Sequence, residues 1–251
     1  MSMDEVRIFP VIGLPYINPG DDLPAILIAA IHHANQSLEE RDVAVIAQKI
    51  VSKAEGRIVK LAEVRPSAFA RNWAEAYGKD ARVVEVALAE SKRIVKMDRG
   101  VLISETRHGF ICANAGVDTS NVAEGTVTLL PEDPDGSALG LRQALEAVFR
   151  VNLAVIISDT FGRPWREGLV NVAVGVSGMA PVVDYRGRQD WLGNTLRVTT
   201  VSIADEIASA AELVMTKDAG RPAAIVRGAH YETEESNNLK LVRSAALDLF
   251  R

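Results

Sequence analysis

Strand-like and helix-like segments follow one another along this chain in an irregular order. Apolar runs typical of strands cover residues 6–12, 43–47, 93–97, 101–104, 126–130, 153–157 and 223–226. Helical spacing of apolar residues predicts helices after Asp22, from Pro66-Ser67 to Gly78, from Ala81 to about Ser91, after Ser137 and after Ser202. Because strict βαβ alternation is missing, the order favours an α+β fold over a doubly wound parallel sheet.

The amino-acid composition limits which classes of protein this chain can belong to. The 251 residues are 48% hydrophobic and 24% charged, with a formal net charge of −5, which predicts an ordinary globular chain. We expect no general nucleic-acid binding, because neutralising phosphates needs a surplus of basic residues. We also expect no signal peptide, because the start lacks a basic region followed by an apolar one. A membrane span is not expected either, since no apolar run reaches about 18 residues.

Cysteine and histidine usage limits the metal chemistry. The single cysteine, Cys112, excludes an internal disulfide and a zinc site with several thiolates. The histidines lack HExxH spacing, so a histidine-built metal site is not expected. A reduced, cytoplasmic environment is the simplest expectation for such a chain.

Two lysines follow the apolar run at 43–47. Lys49 and Lys53 belong to the segment that starts at Gln48, and their ammonium groups are able to hold phosphate oxygens as point charges. The alternative is a solvated loop with ordinary surface lysines, which spacing alone favours.

Two aspartates lie in polar segments that follow apolar runs. Asp118 comes after the motif Asn114-Ala115-Gly116-Val117, and Asp159 opens a segment that continues to Arg163 and Arg166. Carboxylates are ligands of hard cations, so the pair is a candidate Mg²⁺ or Mn²⁺ site bridging nucleotide phosphates. An Asx turn or a helix cap is the alternative for Asp118.

Six sets of short motifs support a more specific hypothesis. They are Gly13-Leu14-Pro15, Ser52-Lys53-Ala54-Glu55-Gly56, Asn114-Ala115-Gly116-Val117-Asp118 with Ser120-Asn121, Asp133-Pro134-Asp135, Asp159-Thr160 with Gly162-Arg163, and Ala204-Asp205-Glu206. In this order and spacing they resemble the γ-glutamyl ligases of the deazaflavin coenzyme F420. The resemblance extends over nearly the whole chain and implies a mixed-sheet α+β fold with two closely packed subdomains.

The same resemblance implies an activity and its co-substrates. It indicates a GDP-forming ligase that uses GTP to add L-glutamate to coenzyme F420-0 through an acyl phosphate. It also implies Mg²⁺ or Mn²⁺, with K⁺ as a further candidate ion, and a homodimer. The glycine-containing apolar run at 170–183 is a candidate for part of a self-complementary surface.

The family pattern assigns site residues in this numbering. The nucleotide is assigned to Ile12, Gly13, Leu14, Pro15, Gln48, Lys49, Lys53, Asn121, Thr216, Lys217, Asp218, Ala219 and Gly220. One metal ion is assigned to Asp118 and Asp159, with Thr160 near a second, and Arg163 joins the two aspartates as catalytic. Lys217 departs from the pattern, which often has an acidic or amide residue there. A protonated lysine does not bind a cation, so this departure puts the second metal site in question.

The organisation and two other functions stay open at this point. The chain is expected to form one ligase unit, 1–251, with a discontinuous nucleotide-binding subdomain (about 1–80 plus 200–251) around a central insertion (about 80–200). A metal-dependent phosphate-ester hydrolase built on Asp118 and Asp159 is one alternative. A non-catalytic nucleotide- or deazaflavin-binding protein is the other.

Overall fold

The computed structural model describes residues 5–235 and 240–248 and confirms the α+β class. The helices are α1 (Leu23–His33), α2 (Gln48–Ala54), α3 (Ala68–Tyr77), α4 (Ala81–Glu90), α5 (Pro134–Phe149) and α6 (Ile203–Met215). The strands are β1 (Arg7–Pro10), β2 (Val43–Ala47), β3 (Ile58–Lys60), β4 (Ser91–Asp98), β5 (Val101–Thr106), β6 (Ile111–Ala113), β7 (Thr126–Thr128), β8 (Ala154–Arg163), β9 (Arg166–Ser177), β10 (Val183–Asp184), β11 (Thr200–Val201) and β12 (Ala223–Arg227). None of the described helices is both long and apolar enough to cross a membrane.

A mixed five-stranded sheet with the order β1-β12-β2-β8-β9 forms the centre of the molecule. β2 and β8 run parallel, and the other neighbouring pairs run antiparallel. Helices α1 and α5 cover one face of the sheet, and α6 covers the other. In β2, Ala44 and Ile46 pack toward α1 and α5, whereas Val43 and Val45 pack toward α6. This double cover explains why the central strands are apolar on both faces.

The segment between α2 and α5 forms a smaller lobe. It holds α3, α4, the β3–β7 pair and the sheet β4-β5-β6. The side chains of Ser67 and Asp80 cap α3 and α4 by accepting from the first-turn amides, and α3 ends at Gly78 with a left-handed φ of 63°. The central sheet takes β8 and β9 from within residues 80–200, and the division into subdomains stays a prediction.

Two predicted elements differ from the structure. β8 does not end at Ile157 but continues to Arg163 and pairs with β9, with an irregularity in register between Ile157 and Ser158. α5 begins at Pro134 rather than after Ser137, because the Asp133 carboxylate caps it by accepting from the Gly136 amide at 3.0 Å. Proline without an amide hydrogen fits the first helical position.

Close contact between β9 and α5 requires a glycine. A Cβ at Gly175 would lie 2.4 Å from the carbonyl oxygen of Pro134, and the Asp135 carboxylate accepts from the Val176 amide at 2.8 Å. Neither backbone is free to shift without breaking this contact. We expect Gly175→Ala to lower the unfolding free energy by about 1–3 kcal/mol, measured by urea denaturation.

Gly140→Ala is the matched control, since a Cβ at this exposed helical position meets nothing within 4 Å. It is expected to raise stability by up to about 1 kcal/mol through helix propensity. Equal effects of the two substitutions would contradict the packing argument.

The apolar run at 170–183, predicted as part of a self-complementary surface, lies mostly in the interior of the folded protein. Ala173, Val174, Val176 and Met179 are each 4% exposed or less. This stretch therefore does not offer the exposed apolar surface that contact between two copies of the chain would need. The homodimer itself stays a prediction.

Candidate active site

Segments from four parts of the chain meet at one edge of the central sheet. Since β2 and β8 are parallel, Ala47 at the carboxyl end of β2 lies beside Ser158 in the middle of β8. The Ala47 amide donates to the carbonyl oxygen of Pro222 at 2.8 Å, just before β12. β1 ends beside the start of β12, where Pro10 pairs with Ala224. The segments after β1 and β2, the part of β8 that follows Ser158 and the segment before β12 are therefore neighbours.

Lys49 and Lys53 lie in helix α2 and not in a loop. The Lys49 ammonium donates to the carbonyl oxygen of Ser120 at 2.9 Å and to its hydroxyl at 2.5 Å. Lys53, 4% exposed, donates to the carbonyl oxygen of Asn121 at 2.6 Å, and its ammonium lies 3.9 Å from the centre of the Tyr16 ring. Both lysines are held inside the site, so the interpretation as solvated surface lysines is wrong.

A left-handed turn precedes Asp118. Asn114, Ala115 and Gly116 have φ values of 52°, 54° and 75°. A Cβ at Gly116 would lie 2.7 Å from Cγ of Leu130, so the turn depends on glycine at this position. Asp118 then pairs with Thr128 through backbone hydrogen bonds of 3.0 and 2.9 Å in the two directions, which fixes its main chain.

The Asp118 carboxylate is ionised and held on both oxygens. Lys49 donates to Oδ2 at 2.6 Å, and the Ser120 amide donates to Oδ1 at 2.7 Å. Burial raises the pKa of Asp118, but these hydrogen bonds outweigh burial and lower its pKa below the ordinary value.

Asp159 lies in β8 opposite Val172, just beyond the register irregularity. Burial, reinforced by the nearby Asp118 carboxylate, raises the pKa of Asp159 to about 6, and the Thr160 amide, which donates at 2.8 Å, opposes the shift. The two predicted metal ligands are therefore near enough to interact electrostatically. A cation between them would relieve their repulsion.

The residues present fit one divalent ion. Among residues 5–235 and 240–248, no three His, Cys, Asp or Glu side chains come together as metal ligands. Mg²⁺ sites that serve nucleotides use one or two carboxylates and complete their shell with phosphate and water oxygens, which matches Asp118 and Asp159. At Thr160 the fit fails, because the Lys217 ammonium contacts Thr160, Asn171 and Glu212 together and so occupies the position that an ion would take.

The two nucleotide loops predicted at the chain ends reach the same edge. The loop with Ile12, Gly13, Leu14 and Pro15 follows β1 and leads to Tyr16, which stacks on Lys53. The loop 216–220 connects α6 to β12 and is exposed throughout. Within it, the Thr216 hydroxyl donates to the Asp218 carboxylate at 3.2 Å. The structure thus places these two loops at the same edge of the central sheet, and their roles stay predictions.

The chain is similar in sequence to known proteins over nearly its whole length. The model of the F420-0:Gamma-glutamyl ligase family matches residues 11–228. A coenzyme F420:L-glutamate ligase of Methanothermobacter thermautotrophicus is 47% identical over 98% of this chain and 99% of its own length. The ligase of the same name from Methanopyrus kandleri is 48% identical over 100% and 99% of the two chains.

This chain belongs to the F420-0:gamma-glutamyl ligase family. The resemblance inferred from the motifs is thereby confirmed, and so is the α+β fold that it implied.

In this family member, Arg163 is separated from the two aspartates. It lies four residues beyond Asp159 along β8, about 13 Å at 3.3 Å per residue. Its guanidinium donates to the carbonyl oxygen of Glu167 at 3.2 Å, within the turn of the β8–β9 hairpin. The structure therefore does not bring Arg163 to the carboxylate pair.

Cys112 lies near Asp159 and is not suited to nucleophilic chemistry in this ligase-family site. Burial raises its pKa to about 12, and the Asp159 carboxylate adds to the shift. A thiol with such a pKa stays protonated at neutral pH.

Sequence reasoning missed two polar residues of the site. Asn171 is 3% exposed on β9 and accepts a hydrogen bond from the Thr160 hydroxyl at 2.8 Å. Glu212 on α6 accepts from the Asn171 amide at 2.9 Å. The signal for Asn171 was an amide inside an apolar run, whereas nothing distinguished Glu212 from the other polar residues of α6.

Proposed function

We propose that this protein uses GTP to join the amino group of L-glutamate to a carboxylate of coenzyme F420-0. The observation that supports the proposal most is the meeting of Asp118, Asp159, Lys49 and Lys53 at one sheet edge in a member of this ligase family. Relatives of this chain carry the name coenzyme F420:L-glutamate ligase.

The proposed reaction has two steps. A carboxylate oxygen of the acceptor attacks the γ-phosphorus of GTP, the bond to the bridging oxygen breaks, and GDP leaves. The glutamate amine then attacks the acyl carbon, phosphate leaves with the former carboxylate oxygen, and the amine loses a proton. Activation is needed because a free carboxylate is a poor electrophile, and the γ-phosphoryl group supplies the leaving group.

In this scheme, lysine side chains of the site, and aspartate side chains through a bound cation, stabilise the negative charge of the GTP phosphates. Ser120 and Asn121 fix the ammonium groups of Lys49 and Lys53, which in this scheme would contact the phosphates without reorganising as charge develops. Asp118 and Asp159 would hold a Mg²⁺ or Mn²⁺ ion, which when bound would offset part of the negative charge of the triphosphate. Because Lys49 already contacts Asp118, it positions this carboxylate as well as adding positive charge.

One assay separates this proposal from its alternatives. The protein is incubated with GTP, Mn²⁺ and L-glutamate, with and without F420-0, and products are measured by mass. A glutamyl product together with GDP, formed only when the acceptor is present, is expected. Phosphate release independent of acceptor would indicate a hydrolase, and GTP binding without turnover would indicate a binding protein.

Lys53 provides a test of the phosphate site. Lys53→Met removes a charge-assisted contact worth about 1.5–3 kcal/mol, which corresponds to roughly 10- to 150-fold weaker GTP binding. The affinity is measured by calorimetry, with exposed Lys79→Met as the matched loss of one lysine. Unchanged GTP affinity in Lys53→Met would show that this lysine does not contact the phosphates.

We further propose a cytoplasmic homodimer. In place of the buried run at 170–183, two exposed apolar pairs, Trp165 with Leu169 and Trp191 with Leu192, are the candidates for contact between two copies, since all four side chains are at least 67% exposed. Light scattering is expected to give twice the 27.1 kDa chain mass at micromolar concentration. A monomeric mass would contradict the proposal.

A further inference from the structure

The Lys217 ammonium lies in a cage of three oxygen atoms. Its Nζ is 2.7 Å from the Thr160 hydroxyl, 3.1 Å from Oδ1 of Asn171 and 2.9 Å from Oε1 of Glu212. An ammonium group has three N–H donors, and these contacts use all of them.

The cage is organised by contacts that do not involve Lys217. The Asn171 amide donates its Nδ2 hydrogen to Glu212 at 2.9 Å, which turns its Oδ1 toward Thr160 and the lysine. The Ser209 hydroxyl donates to the carbonyl oxygen of Asn171 at 2.7 Å and joins α6 to the same point of β9. Asn171 is buried and bonded to both Thr160 and Glu212, so its amide orientation does not depend on Lys217.

A hydroxyl, an amide oxygen and a carboxylate form the type of donor set that hard cations prefer. Thr160 follows Asp159 in β8, and because successive side chains of a strand point to opposite faces, the cage lies across the strand from the carboxylate pair. In this chain the position is already filled by a cation that belongs to the protein.

We propose that the Lys217 ammonium takes the place of a second metal ion at Thr160, Asn171 and Glu212, so that this protein binds one divalent ion rather than two. Lys217 then supplies a tethered positive charge in the loop assigned to the nucleotide. The inference rests on the proposed function for the divalent ion at Asp118 and Asp159 and for the anion that this charge faces.

The test counts Mn²⁺ bound to the intact chain without nucleotide, from the loss of the free-ion signal in electron paramagnetic resonance. Lys217→Gln is expected to bind one more Mn²⁺ per chain than the unsubstituted protein, because it removes the ammonium and adds an amide oxygen. Lys79→Gln, which removes the same charge from an exposed position, is expected to bind no additional ion. Lys217→Gln combined with Glu212→Gln is expected to lose the additional ion again.

Two bound Mn²⁺ ions in the unsubstituted protein, or equal counts in it and in Lys217→Gln, would overturn the proposal. Lys217→Met provides a second variant with the ammonium removed and no oxygen added, and it is expected to bind the additional ion more weakly than Lys217→Gln. The count needs no glutamyl product. It therefore distinguishes a failure of this inference from a failure of the proposed ligase activity.

Discussion

Asp159→Asn is expected to lower the rate of glutamyl product formation about 10²–10³-fold while leaving the fold intact. The substitution removes one of two carboxylates proposed to hold the divalent ion, and such an ion contributes several kcal/mol to stabilising charge in phosphoryl transfer. The rate is measured with saturating GTP and Mn²⁺. Asp98→Asn, at an exposed position at the end of β4, is the matched control and is expected to retain full activity.

A stability measurement separates a catalytic role of Asp159 from a structural one. Since burial and the Asp118 charge raise the pKa of Asp159, ionisation of this carboxyl is disfavoured in the folded protein. The neutral, isosteric Asn is therefore not expected to lower the melting temperature. Near-normal turnover of Asp159→Asn with Mn²⁺ would refute the metal assignment, and a lower melting temperature would assign the residue a structural role.

Arg227→Met is expected to destabilise the protein by about 3–5 kcal/mol, because it leaves a buried carboxylate without its partner. The Arg227 guanidinium donates to both oxygens of Asp42, at 2.8 and 2.7 Å, and Asp42 is 1% exposed. For a chain of this size the melting temperature should fall by roughly 6–20 °C, measured by calorimetry.

The double substitution Asp42→Leu with Arg227→Met removes the charge together with its partner. It is expected to recover most of the stability lost in Arg227→Met, since an apolar pair of similar volume often replaces a buried ion pair without loss. A double variant as unstable as Arg227→Met would show that lost packing, rather than the unpaired charge of Asp42, causes the loss of stability.

The positions of the apolar elements could be predicted from the sequence because burial leaves a periodic signal. β2 and α6 follow that signal closely, since each packs its apolar residues into the core. The continuation of β8 beyond Ile157 left no such signal. Its outer half is a polar hairpin whose pairing with β9 depends on contacts between strands, which no local pattern encodes.

The site itself was only partly predictable. The motifs around Lys53, Asp118 and Asp159 indicated the residues, but their meeting depends on the parallel pairing of β2 with β8. The seven residues of α2 gave no visible helical period, so the lysines appeared to belong to a loop. The Lys217 cage joins β8, β9 and the end of α6, and only the folded chain brings these three elements together.

Isotope transfer from the acceptor tests the proposed ligase chemistry most directly. F420-0 carrying oxygen-18 in its reacting carboxylate is incubated with GTP, L-glutamate and Mn²⁺, and the phosphate and the glutamyl product are analysed by mass. An acyl-phosphate ligase transfers one labelled oxygen to phosphate for each amide formed and retains the other in the amide carbonyl. Unlabelled phosphate released alongside the glutamyl product would contradict the acyl-phosphate route.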